Sequence, residues 1–118
     1  MSRARRDDAA KALLPLKPLE FSILVALAEG ASYGYGIVKR IGERSGGGVR
    51  LAPGNLYQVL DRLINAGLIE PAEVEDEERR RWYGLTAFGR RVAAAEAGRL
   101  RELMETVEAL DLLAETGR

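Results

Sequence analysis

From Thr86 to about Leu113 the sequence carries one continuous helical pattern: Glu96, Leu100, Leu103, Val107, Leu110 and Ala114 step by four and three, and Ala93, Ala97 and Met104 widen the stripe. That is the spacing of a helix seam, with the Thr86 hydroxyl placed to cap its start. A chain of 118 residues builds one modest core. Such a body cannot cover a helix so long and so apolar, so the sequence predicts that a second copy covers it. Leu100, Leu103, Met104, Val107 and Leu110 are the expected dimerisation residues.

Composition narrows the chemistry. Hydrophobic residues make up 47% and charged residues 31%, the balance of a folded soluble domain. No apolar run reaches the ~18 residues of a spanning helix. With no cysteine and no histidine, disulfides, thiol chemistry, the usual zinc sites and imidazole catalysis are all removed. No cofactor, metal or catalytic residue is expected. The basic opening Met-Ser-Arg-Ala-Arg-Arg is followed by no apolar segment before Lys11, so no secretory leader is expected and the expected location is cytoplasmic.

Net charge is zero but unevenly spread. Residues 1–50 hold nine basic and five acidic groups, residues 70–78 hold six acids and no base, and Arg79, Arg80 and Arg81 follow at once. Local field, more than the total, selects a partner.

Ahead of the long helix, Leu19, Ile23, Leu24 and Leu27 predict a helix from Pro18 that Gly30 stops. Ser32 is positioned to cap a second, with Tyr35, Ile37, Val38 and Ile41 inward and Lys39, Arg40, Glu43 and Arg44 in water. Three glycines, 46–48, break the chain, and Val49-Arg50-Leu51 suits a short strand or an extended link. A phosphate-cradling loop fails there, because no strand precedes it and no Lys-Ser or Lys-Thr pair follows. Pro53 opens a third helix with Leu56, Leu60, Leu63 and Ile64 inward and Gly67 as its stop. Residues 68–74 and 81–85 read as a β-hairpin around the acidic turn 75–78, with Tyr83 and Leu85 on one face and Trp82 on the other.

The third helix carries the functional signal. Asn55, Gln58, Arg62 and Asn65 recur at three and four, so one face offers amides and a guanidinium where a solvated surface commonly mixes lysine and glutamate. Such groups suit base edges and phosphates, although an ordinary polar face has the same look. Tyr33 and Tyr57 can donate hydroxyls to phosphate or pack their rings. Arg80 and Arg81 can meet phosphate or neutralise the acidic turn. Asp61 is read as orienting Arg62. Trp82 is a candidate wall of an effector pocket between the hairpin and the long helix, or plain packing. The order of elements is that of a winged helix-turn-helix, mostly α with a small β-hairpin, followed by a long C-terminal dimerisation helix. The divisions are a basic extension over 1–16, partly disordered or helical, a DNA-binding unit over 17–86 and the dimerisation helix over 87–118.

The segments Leu-Glu-Phe-Ser-Ile-Leu-Val-Ala-Leu from Leu19, Ser32-Tyr33-Gly34-Tyr35-Gly36-Ile37, and Gly54 to Leu63 resemble PadR-type transcriptional regulators. The likeness continues through Gly67-Leu68-Ile69, Arg79 to Tyr83 and Leu85 to Arg90, in one register over roughly residues 16–92. The resemblance implies a homodimeric winged-helix repressor of the short subfamily. It would bind double-stranded DNA and often senses a small molecule, with a single C-terminal helix for dimerisation. Taken with the residue pattern, it leaves Tyr33, Asn55, Tyr57, Gln58, Arg62, Arg80 and Arg81 as the expected DNA contacts. Pairing would set two reading helices about 34 Å apart, one DNA turn, on a palindromic operator. Ala52 departs from the family's capping Ser or Thr, Asn55 and Gln58 from its Thr and Pro, and the acidic hairpin tip from its glycine. Two other classes compete: a winged helix that binds a protein in place of DNA, and a small enzyme using Glu73, Glu75, Asp76, Glu77 and Glu78 around Mg²⁺. Those acids alternate on an exposed turn, so a solvated charge run is the stronger reading.

Overall fold

The computed structural model describes residues 2–46 and 53–116. In chain order the elements are α1 (Arg3–Lys11), α2 (Pro18–Ala28), β1 (Ser32–Tyr33), α3 (Gly34–Arg44), α4 (Pro53–Asn65), β2 (Ile69–Ala72), β3 (Trp82–Leu85), α5 (Ala87–Ala109) and α6 (Leu112–Thr116). The fold is mostly helical with a small antiparallel sheet in the order β1-β3-β2. The expected link at Val49-Arg50-Leu51 and the departure at Ala52 lie outside the described residues.

The basic extension is helical in α1. Its Ser2 hydroxyl accepts from the Arg5 N–H at 3.3 Å, and its Ala10 is buried against the core. The core proper joins Ile23, Leu24 and Leu27 of α2, Ile37 and Ile41 of α3, Leu56, Leu60 and Leu63 of α4, and Tyr83 of β3. The helical members are apolar positions that the period selects, because three- and four-residue steps place side chains on one face; Tyr35, expected inward with Ile37 and Ile41, is instead 71% exposed. Gly67 ends α4 at φ 76°. There the N–H of Leu68 donates to Leu63 C=O and that of Gly67 to Ile64 C=O, both at 2.9 Å, the pairing of a Schellman stop.

Several expectations are corrected. Ser32 does not cap α3: it sits in β1 opposite Tyr83, and Tyr33 is the N-cap residue without a side-chain cap bond. The two residues of β1 satisfy backbone groups by pairing with the central strand β3, so β1 is a third strand that the hairpin expectation lacked. Arg40 is not a solvated charge: its guanidinium donates to Ala26 C=O at 3.0 Å and Gly30 C=O at 2.8 Å, satisfying carbonyls that the end of α2 leaves without helical partners. Arg44 stays exposed as expected, in a surface ion pair with Glu29 at 2.6 Å.

The long helix also differs. It stops at Ala109, Asp111 turns the chain at φ 57°, and α6 follows, so Ala114 leaves the straight seam. Glu96, expected in that seam, is buried inside the protomer at 1% exposure. It accepts from the Leu16 N–H at 2.7 Å and from the Arg99 guanidinium. A buried carboxylate persists where donors replace its water, and these two hold it on the protomer side. Together they tie the segment after α1 to α5, and the Arg99 hydrogen bond, outweighing burial, keeps the Glu96 carboxyl below its ordinary pKa.

Candidate nucleic-acid interface

α3 and α4 form the helix-turn-helix, and β2–β3 with its turn forms the wing. The junction depends on two glycines. A Cβ on Gly34 would stand 3.1 Å from the Tyr57 hydroxyl and 3.3 Å from Leu56 Cδ2, so α4 lies directly on the first turn of α3. A Cβ on Gly36 would run into the Ser32 hydroxyl, which sets α3 against β1. The Tyr-Gly-Tyr-Gly run is thus a close-approach device that fixes where α4 projects.

On α4, Asn55, Gln58 and Arg62 are exposed. Arg62 is drawn toward Glu20 at 3.9 Å, which corrects the expectation that Asp61 orients it: residues one apart diverge around a helix, and Glu20 of α2 lies on the Arg62 side. Tyr57 is 55% exposed. Its ring lies over Gly34, and among the described residues its hydroxyl has no hydrogen-bond partner, so the two sequence readings of this side chain are compatible.

The wing brings the remaining candidates together. Tyr33, Gly34, Tyr35, Tyr57, Glu78, Arg80 and Arg81 line one cleft between the start of α3, α4 and the wing. Four of the seven expected DNA-contact residues therefore share a surface beside the other three. Tyr33 is held edge-on by Trp82, with ring centroids 5.1 Å apart, and the Arg80 guanidinium lies 3.9 Å over its ring, a cation–π arrangement.

The organising residue is one that sequence reasoning read as a solvated charge. Asp76 accepts from Arg80 Nε at 2.7 Å, Arg80 Nη2 at 3.1 Å and Trp82 Nε1 at 3.0 Å. It also accepts the backbone N–H groups of Glu78 and Arg80, both at 3.1 Å. These donors hold its carboxyl well below the usual carboxylate range, the Arg80 bond first. The signal for it was an aspartate opening a turn, where its side chain can accept from the backbone two residues on. Arg79 takes φ 56°, a left-handed conformation that glycine adopts without steric cost. Trp82 is accordingly engaged within the wing, between Asp76 and Tyr33, and not on the α5 side where an effector pocket was expected. Strand parity put it opposite Tyr83, on the face where Tyr33 and Asp76 meet it. Arg81 is exposed and, among the described residues, has no ion-pair partner.

The dimerisation candidates lie away from this surface. Leu103, Met104 and Leu110 are 51%, 41% and 65% exposed, while Leu100 and Val107 are half-buried. Among the described residues, no group of three or more acidic side chains is arranged to hold a metal ion, and no helix is long and apolar enough to cross a membrane.

Comparison with known proteins agrees with this geometry. An uncharacterized 37.1 kDa protein in a Streptomyces fradiae transposon is 40% identical over 81 residues, 69% of this chain and 22% of that protein, so the chain spans about a fifth of that relative. The structure of H. salinarum RosR is 30% identical, with 86% of this chain and 98% of that one covered and a TM-score of 0.63. Bacillus subtilis PadR, solved in complex with operator DNA, shares the fold at 24% identity and a TM-score of 0.59, over 68% of this chain and 45% of that one. The model of the PadR-like transcriptional regulator family matches residues 23–95, which contain α3, α4 and the whole wing, and the chain belongs to that family.

Proposed function

We propose that this chain is a homodimeric repressor that binds a palindromic operator in double-stranded DNA, with α4 in the major groove and the wing cleft on the adjoining phosphates. The observation that carries this reading is the convergence of Tyr33, Tyr57, Arg80 and Arg81 on one cleft beside the exposed Asn55, Gln58 and Arg62 of α4. Amide and guanidinium groups read base edges, while Tyr and Arg fix the protein on the backbone. The operator complex of Bacillus subtilis PadR supports the same use of the fold.

The unpaired apolar stripe of α5 supports dimerisation, since a second α5 would remove Leu103, Met104 and Leu110 from water. Relief by an apolar or aromatic effector would be linkage: the ligand loosens DNA only as far as it prefers a dimer whose head spacing misfits the operator.

The test is fluorescence anisotropy of labelled DNA from upstream of the protein's own gene, at several salt concentrations, with wild type and Arg62→Ala. Tight, steeply salt-dependent binding that the substitution weakens by about 1–3 kcal/mol is expected. Binding no stronger than to random DNA would favour the rival reading, a winged helix that recognises a protein.

A further inference from the structure

Arg80 faces the proposed DNA surface, yet each of its three guanidinium nitrogens already meets a carboxylate oxygen. Nε and Nη2 are on Asp76 at 2.7 and 3.1 Å, and Nη1 is 3.3 Å from Glu78 Oε2. The two acids hold it very differently. The Asp76 side chain is 6% exposed and takes three further donors, so removing it would strand buried groups. The Glu78 side chain is 72% exposed and makes this one contact among the described residues. It lines the cleft together with Arg80, whereas Asp76 is not among the lining residues.

We propose that Glu78 is a built-in phosphate mimic: its carboxylate occupies the cleft-facing nitrogen of Arg80, and a DNA phosphate must displace it to reach the wing. Asp76 and the Tyr33 ring keep the guanidinium in place while the exchange occurs, so the cation is preorganised and only its outer partner changes. An exposed ion pair is weak and screened by salt, which makes Glu78 displaceable and leaves it as a brake on the electrostatic, sequence-independent part of binding. The brake would favour operators whose base contacts add to the phosphate contacts, and would hold the protein off arbitrary DNA. The inference rests on the DNA-binding reading and names a residue that tunes it.

The experiment measures anisotropy with a random-sequence duplex and with the upstream duplex, across a salt series, for wild type, Glu78→Gln, Glu77→Gln and the double variant Glu78→Gln with Arg80→Ala compared with Arg80→Ala alone. Glu77 is an exposed neighbour outside the Arg80 pairings, so its substitution makes the same change in net charge without freeing the guanidinium. Glu78→Gln is expected to tighten binding to the random duplex about two- to fivefold for each wing engaged, and to steepen the salt dependence by up to about one unit of slope. In the Arg80→Ala background the gain should vanish. Equal gains from Glu77→Gln and Glu78→Gln, or a gain that survives loss of Arg80, would overturn the proposal and leave a general charge effect. Unchanged affinity in Glu78→Gln while wild type binds normally would overturn it without touching the DNA reading. If wild type shows no salt-dependent binding to either duplex, both fall.

Discussion

Gly89 is the position at which the structure makes its sharpest demand on stability. It lies in the first turn of α5, where a Cβ would run into the Leu68 carbonyl oxygen, 2.8 Å from the carbonyl carbon and 2.9 Å from Leu85 Cδ1. Ordinary contact begins near 3.4 Å, so backbone, not a flexible side-chain end, must withdraw by more than half an ångström. That carbonyl accepts from the Thr86 N–H at 3.1 Å, and the movement strains the bond. Overpacking costs about 1–3 kcal/mol and a weakened hydrogen bond about 1 kcal/mol, while alanine returns up to ~1 kcal/mol of helix propensity. Gly89→Ala should therefore lose about 2 kcal/mol, a fall of about 1 M in the urea midpoint for a domain of this size. Gly98→Ala is the internal control: it lies in the same helix with nothing within 4 Å of its Cβ position, and should gain up to ~1 kcal/mol. Both are read by urea unfolding at fixed protein concentration. A Gly89→Ala midpoint equal to or above wild type, with an unchanged slope, would refute the argument that Leu68 constrains this turn.

Glu96→Gln should destabilise by about 1–3 kcal/mol, because the buried Glu96 carboxylate that accepts from Leu16 and Arg99 becomes a neutral amide. Its native carboxyl is depressed, so its contribution is complete above the unfolded value near ~4.3 and is lost as pH falls through the lower native value. The acid-side fall in wild-type stability should shrink in the variant, and thermal melts between pH 2 and 7 report it. Arg40→Ala should cost about 1–3 kcal/mol through the carbonyls it leaves at the end of α2, with Arg40→Lys a poor rescue because a point charge cannot span the fork; denaturant curves distinguish the two. Leu103→Glu should convert the proposed dimer to monomer at micromolar concentration in light scattering while leaving the helical circular dichroism intact, because the side chain is half exposed in the single chain.

What sequence patterns revealed and what they hid divides along a physical line. α2 and α4 are legible because many apolar residues vote for one face, and Gly67 ends α4 with a conformation few residues adopt. β1 is too short for any period to show: only pairing with β3 makes it a strand. The helix break at Asp111 has no composition signal, and a four-three count carried the seam straight through it. Glu96 has the right spacing for the seam, but hydrophobic period does not say which of two bodies covers a face. Single charges were the least legible. Arg40 looks like a surface residue because nothing local announces its partners at Ala26 and Gly30, and Asp76 because its turn-opening signal is lost in a run of four acids. The candidate site shows the same division: Asn55, Gln58 and Arg62 were legible from period, whereas the joining of Tyr33 to the wing needed the fold.

Thr86 has a mechanical meaning. Its hydroxyl donates to Gly67 C=O at 2.6 Å and accepts from Gly89 N–H at 2.8 Å, and its own N–H holds Leu68 C=O. The end of α4, the start of the wing and the start of α5 are thereby welded at one residue, with no hinge between the winged-helix head and the long helix. A helix of 23 residues is a lever about 34 Å long. Turning it by ~10° at the distal end displaces the head by about 6 Å, more than the ~3.4 Å between base pairs along a DNA strand. In the proposed dimer on DNA, small angular changes between two such levers would therefore be delivered to the groove without slack.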